Sequence, residues 1–186
     1  MKRDSFVLQI LKGFGWFVFA YVICFILCSS IIFAKHFLIN IVLEVFEMSI
    51  ILILMGNYAW KDGKKEIKLT ERYKLEPVSK FRWYAIGFLS SLPIYIMLLL
   101  LILDKCGIIM GFARWYKMLS PYFLPVTSWL VEKSGVFVCG ADFSWKVIAL
   151  LGILSLTVPI TTGVCHSLSY KDKISGDTIM YEDIKQ

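Results

Sequence analysis

Two acidic residues, Glu44 and Glu47, stand within an otherwise apolar stretch of the sequence. They are three residues apart, so a helix would place them on the same face. If that helix enters a membrane near Leu38, the two carboxylates lie about 9 Å and about 13 Å deep, at ~1.5 Å per residue. A charged carboxylate at such a depth is costly, so it is expected to face a protein interior, a water-filled cavity or a cationic partner.

The sequence is compatible with three roles for this acidic pair. The first is proton or cation handling, because two close carboxylates share their negative charge poorly. The second is structural, with the acids hydrogen-bonded inside the protein. The third is assembly, in which the acids pair with basic residues of another subunit. Three nearby polar residues are further candidates for the same site: Asn40 one turn from Glu44, and Ser29 and Ser30 in the preceding apolar run.

The other reactive side chains do not form a recognisable catalytic or metal-binding pattern. The five cysteines include no CxxC pair and no Cys/His cluster with zinc spacing. The sequence also lacks a GxxxxGK[ST] phosphate loop, an HExxH motif and a GxSxG motif. His166 stands near the end of an apolar run, where an interfacial position is expected. We therefore expect no enzymatic activity, no metal and no cofactor.

Composition excludes several classes of protein. The 186 residues are 58% hydrophobic, 16% aromatic and 18% charged, with a mean hydropathy of +0.70. A soluble domain carries roughly 25% charged residues, so a water-soluble globule, a nucleic-acid-binding domain and a disordered chain are all disfavoured. The net charge of +6 comes from basic residues in the gaps between apolar runs, which indicates contact with a membrane surface.

Four apolar runs are long enough to cross a bilayer as helices, which needs about 20 residues each. They cover 14–33, 37–58, 83–103 and 145–164. The first run is too long for the ~7–15-residue apolar region of a signal peptide, so we interpret it as an uncleaved anchor. In the third run, Ser90, Ser91 and Pro93 predict a kink.

Basic residues predict the orientation of these four spans. With the N-terminus in the cytoplasm, fourteen of the twenty Lys and Arg residues are cytoplasmic and six are outside. The positive-inside rule favours this arrangement. It places loop 61–82 and tail 165–186 in the cytoplasm and loop 104–144 outside, in the cell membrane.

Loop 104–144 is unusually rich in apolar and aromatic residues. Segment 111–119 predicts a short interfacial helix, with Arg114 and Lys117 facing water. The loop could lie re-entrant in the membrane, over the end of the bundle, or against a partner. Four large aromatic residues are candidates for partner contact: Trp115, Tyr116, Phe123 and Trp129. Cys106 and Cys139 flank the loop, and a disulfide between them would need an oxidising compartment.

These features predict an all-α integral membrane protein with four transmembrane helices in two antiparallel hairpins, forming a single domain over 1–186. The leading functional prediction is a subunit or accessory factor of a larger membrane assembly. The predicted partners are the lipid bilayer, with anionic lipid at 61–82, and other membrane subunits or further copies of the chain, but not nucleic acid. The alternative is a small homo-oligomeric transporter or channel that uses Glu44 and Glu47 for protons or cations.

Overall fold

The structure, a computed structural model, describes residues 4–31, 37–73, 79, 81–131 and 139–183. It describes their side chains except at 29–31, 37–38, 71–73, 129 and 170–183. Within these residues there are seven α-helices, two short 3-10 turns and no strand. In chain order they are α1 (Phe6–Ile31), α2 (Phe37–Tyr73), α3 (Phe81–Ser90), α4 (Leu92–Lys105), α5 (Phe112–Leu119), the turn Pro121–Phe123, α6 (Leu124–Leu130), the turn Gly140–Asp142 and α7 (Trp145–Asp183).

Three of these helices, α1, α2 and α7, are long and apolar enough to cross a membrane. The consecutive helices α3 and α4 pass the same test together, although they are bent by 60° at their junction. The described residues therefore contain three such helices, or four if the bent pair is one span. This confirms the helical, membrane-compatible class that the sequence predicts.

The bend lies where the sequence predicts a kink. Ser91 separates α3 from α4, and Pro93 is in the first turn of α4. Proline has no backbone N–H to donate, so it interrupts the hydrogen-bond ladder of a continuous helix. Beside the break, the Gly87 carbonyl accepts hydrogen bonds from both the Ser91 hydroxyl, at 2.8 Å, and the Ser91 backbone N–H, at 3.1 Å.

Helix boundaries differ from the predicted spans at the ends that carry charged residues. Helix α1 begins at Phe6, before the predicted start at 14. Helix α2 continues through much of the predicted loop 61–82, and α7 runs to Asp183 through most of the predicted tail. Hydropathy marks only the apolar part of a helix, whereas Lys and Glu are good helix formers and allow it to continue.

The predicted helix in loop 104–144 is present as α5. Asp104 at the end of α4 accepts hydrogen bonds from the backbone N–H groups of Gly111, at 3.2 Å, and Ala113, at 2.6 Å. These bonds satisfy donors at the start of α5 that have no partner within the helix. Arg114 is exposed as predicted, but Lys117 is buried, because its face of α5 turns towards the rest of the chain.

The segment after α5 packs on the end of the bundle. Tyr122 and Phe123 are buried, and the Tyr122 ring lies edge-on to Phe17 of α1. The Tyr21 hydroxyl of α1 donates to the Leu119 carbonyl at 3.1 Å. The described part of loop 104–144 therefore packs on the bundle, whereas a re-entrant position in the membrane and contact with a partner stay predictions.

This packing changes the predicted partner surface. Tyr116 and Phe123 are each 1% exposed and lie in the core, so they are corrected to internal contacts. Trp115 remains 49% exposed. The side chain of Trp129 lies outside the described residues.

The main core is apolar and is shared by the long helices and the loop. Helix α2 packs on α7, α7 on α3, and α1 on both α2 and α3. Between these helices lie buried apolar side chains, among them Phe17, Ile51, Met55, Ile94 and Leu151. This core separates two groups of buried polar residues, one near each end of the bundle.

Candidate functional site

The predicted acidic pair lies inside the bundle. Glu47 is completely buried and Glu44 is 7% exposed, so both side chains lie on the face of α2 that packs inside the chain. The Cys28 thiol of α1 lies 2.9 Å from Glu47 Oε1 and 3.1 Å from the Pro121 carbonyl oxygen. A thiol has one proton, so it donates to one of these two oxygens at a time.

Glu44 links α2 to the loop. Its Oε2 accepts a hydrogen bond from the backbone N–H of Val126, at 3.3 Å, in the first turn of α6. A carboxylate is favourable there, because the first N–H groups of a helix have no intrahelical acceptor. A small notch beside this contact is lined by Asn40, Glu44, Pro125 and other residues of α2 and α6.

Each acid keeps one oxygen without a hydrogen-bond partner among the described residues: Glu44 Oε1 and Glu47 Oε2. A buried polar atom without a partner is costly, so these two oxygens are the least satisfied part of the predicted site. Asn40 lines the notch beside Glu44, as its position one turn away predicts. The side chains of Ser29 and Ser30 lie outside the described residues.

A second buried polar group, which the sequence analysis missed, surrounds Gln9. The Gln9 side-chain amide donates to Asp62 Oδ2 at 2.8 Å and to Glu66 Oε1 at 3.2 Å. The Gln9 side-chain carbonyl accepts a hydrogen bond from Arg82 at 2.6 Å. One amide therefore joins two acids of α2 to a cation of α3.

His166 completes this group from α7. Its Nε2 lies 3.2 Å from Glu66 Oε2, and both side chains are 2% exposed. The imidazole ring stacks on the Trp83 ring with 4.6 Å between centroids and 16° between planes. His166 is therefore buried between α7, α2 and α3, and its predicted position at the membrane interface stays a prediction. We call Gln9, Asp62, Glu66, Arg82 and His166 the Gln9–His166 cluster.

One signal in the sequence could have identified half of this cluster. Asp62 and Glu66 are four residues apart, which places them on one face of a helix. That signal is visible only if the helix is continued past residue 58. The pairing with Gln9 and His166 has no such signal, because these residues are 53 to 100 positions from their partners.

The two polar groups are separated by an apolar stretch of α2. From Glu47 to Asp62 the helix rises about 22 Å, at ~1.5 Å per residue. Over this distance, its buried side chains include Met48, Ile51 and Met55. Along α2, therefore, no run of buried acids connects the two ends.

Replacement of the two acids by leucine should change the melting temperature in opposite directions. Glu47→Leu should raise the melting temperature in detergent by a few degrees, because it removes a buried acid that has one weak donor and one unpartnered oxygen. The matched variant Glu44→Leu should lower it, because the Val126 N–H then loses its acceptor. A large loss of folded protein with Glu47→Leu, but not with Glu47→Gln, would instead show that Glu47 is a required hydrogen-bonding group.

The described residues contain no group of three or more His, Cys, Asp or Glu side chains that could hold a metal ion. Cys106 and Cys139 are both exposed at the ends of the loop, and a disulfide between them stays a prediction. Comparisons with protein-family models, curated proteins and solved structures find no match to this chain.

Proposed function

We propose that this chain is a non-enzymatic multi-pass membrane protein that serves as a subunit or accessory factor of a larger membrane assembly. The observation that carries the proposal is the length of two helices. Helix α2 has 37 residues and α7 has 39. At ~1.5 Å per residue they measure about 56 Å and about 58 Å, whereas the hydrocarbon core is only about 30 Å thick.

The parts of α2 and α7 that extend beyond the hydrocarbon core of the membrane pack against each other. Gly63 of α2 lies so close to α7 that a Cβ atom there would overlap Ser169 Oγ and lie 3.1 Å from His166 Cδ2. The Glu66–His166 contact also crosses between the two helices. We call residues 59–73 of α2 and 166–183 of α7 the α2–α7 extension. A joined helix pair outside the membrane is a suitable attachment surface for another protein.

The proposed orientation follows from charge. Fourteen of the twenty Lys and Arg residues belong to segments 1–13, 61–82 and 165–186 of the sequence, which the positive-inside rule assigns to the cytoplasm. In this arrangement α1 and α2 form one antiparallel hairpin. The bent pair α3–α4 and helix α7 form the second, in the cell membrane.

The test is the mass and composition of the intact particle, purified in mild detergent from native membranes. We expect a second protein at fixed stoichiometry. Gly63→Leu should reduce its recovery at least about tenfold, because the new side chain would separate α2 from α7. The matched control is Gly15→Leu, since a Cβ atom at Gly15 meets nothing within 4 Å. Equal loss of the second protein in both variants would contradict attachment through the extension.

A second candidate function is a homo-oligomeric transporter or channel that uses Glu44 and Glu47. It is favoured by their two unpartnered oxygens, one of which belongs to a residue lining an open notch. A particle that contains only this chain would contradict the attachment role and favour transport. Proton or cation flux into proteoliposomes should then disappear in Glu44→Gln or Glu47→Gln, and unchanged flux would exclude these acids from it.

A further inference from the structure

A basic groove lies between α1 and α2, at the end of the bundle that carries the α2–α7 extension. Its lining includes Lys12, Trp16, Asn57, Lys61, Asp62 and Lys65. On each helix the residues are one turn apart, Lys12 and Trp16 on α1 and Asn57 and Lys61 on α2. Along the helix axes, the groove therefore has two levels, that is, two layers of side chains. The charged level is formed by the lysines, and the level nearer the apolar core is formed by Trp16 and Asn57.

Two of the lysines are already arranged around one anionic oxygen. Asp4 Oδ2 lies 2.6 Å from Lys12 Nζ and 3.0 Å from Lys65 Nζ. These hydrogen bonds hold the pKa of Asp4 below its usual range, so the carboxylate is charged at neutral pH. The third lysine, Lys61, is exposed and forms no ion pair with a described residue. An oxygen of a phosphate group can occupy the same position between Lys12 and Lys65 as the Asp4 oxygen.

The level nearer the core has the character of a membrane interface. Trp16 is 38% exposed and lies edge-on to Phe19, which is 53% exposed, with 6.1 Å between ring centroids. Tryptophan is enriched where hydrocarbon meets headgroups. Further towards the middle of the bundle, the exposed surfaces of α1 and α2 are apolar, as at Val22 and Ile53.

We propose that this groove binds the phosphate headgroup of an anionic phospholipid, with an acyl chain lying along Trp16 and Phe19. The phosphate group contacts the lysines, and the acyl chain contacts the aromatic rings nearer the middle of the bundle. An acidic protein segment would match the lysines but not the exposed apolar surface below them. The inference depends on membrane residence alone and not on the proposed attachment role.

The test compares two pairs of lysines on the same helix. Native mass spectrometry of the full-length protein in mild detergent, titrated with phosphatidylglycerol, measures the affinity for the lipid. The groove variant Lys61→Gln/Lys65→Gln should bind at least about tenfold more weakly than the unmodified protein, given the contribution of each lysine near anionic lipid. The control Lys64→Gln/Lys68→Gln removes the same charge from two exposed positions outside the groove, and it should change affinity less than about threefold. Phosphatidylcholine should bind much more weakly than phosphatidylglycerol.

A further variant is expected to strengthen lipid binding, which a misfolded protein would not do. Asp4→Asn removes the carboxylate that competes for Lys12 and Lys65, so it should strengthen phosphatidylglycerol binding several-fold. Equal weakening by both lysine pairs would overturn the proposal, because it would show diffuse attraction without a site. Weaker binding by Asp4→Asn would also overturn it, because it would show that the Asp4 carboxylate does not compete with the lipid for Lys12 and Lys65.

Discussion

Substitution of Gly87 by leucine should abolish the folded bundle. A Cβ atom at Gly87 of α3 would overlap Thr162 Oγ1 and lie 2.8 Å from the Cα atom of Pro159 in α7. A side chain can rotate away from such a clash, but a backbone atom within a packed helix cannot. Because α3 and α7 share one of the main helix contacts of the bundle, separating them also opens the surface on which His166 stacks against Trp83.

The loss of stability should increase with the size of the side chain that replaces Gly87. Gly87→Ala should lower the melting temperature in detergent by at least about 5 °C, since overpacking of this kind costs ~1–3 kcal/mol or more. Gly87→Leu should leave no monodisperse peak on size-exclusion chromatography. The matched control is Gly152→Ala on α7, whose Cβ atom would meet only Leu98 Cδ2 at an ordinary 3.7 Å. A folded, monodisperse Gly87→Leu protein would contradict the close approach of α3 and α7.

The sequence correctly predicts the structural features that are determined by the composition of a short stretch of the chain. The apolar runs predict the membrane-spanning helices because burial in lipid requires a long run of apolar residues. Ser91 and Pro93 predict the bend because proline acts within one helical turn. The aromatic residues of loop 104–144 predict packing, since so much apolar surface cannot remain in water. All three features follow from local composition.

The missed features depend on distant contacts or on the direction of a side chain. Gln9, Asp62 and His166 are on three different helices, and only the tertiary fold brings them together. Similarly, Lys117 and Arg114 are almost one turn apart on α5, yet only Arg114 is exposed. A short amphipathic helix turns one face inward according to the surface against which it packs. The sequence of the helix alone does not describe that surface.

The Gln9–His166 cluster is the polar group with the largest expected effect on stability. Gln9 is completely buried, and its side chain is a donor to two acids and an acceptor from Arg82. Gln9→Leu keeps a similar volume but leaves these charged groups without their shared partner. Removal of one partner from a buried charged network costs ~3–5 kcal/mol, so we expect a loss of this size in the free energy of unfolding.

Two further variants separate lost hydrogen bonding from a general effect of adding leucine. Asn57→Leu makes the same type of change, from an amide to an apolar side chain, at an exposed position of α2, and should alter the free energy of unfolding by less than about 0.5 kcal/mol. In the Gln9→Leu background, Glu66→Gln should restore part of the lost stability, because it removes one of the acids that Gln9 no longer satisfies. Denaturant titration followed by tryptophan fluorescence measures all three proteins. If Glu66→Gln instead adds its own full cost to that of Gln9→Leu, the two residues act independently, and the cluster is not the junction between α1, α2 and α7 that its hydrogen bonds indicate.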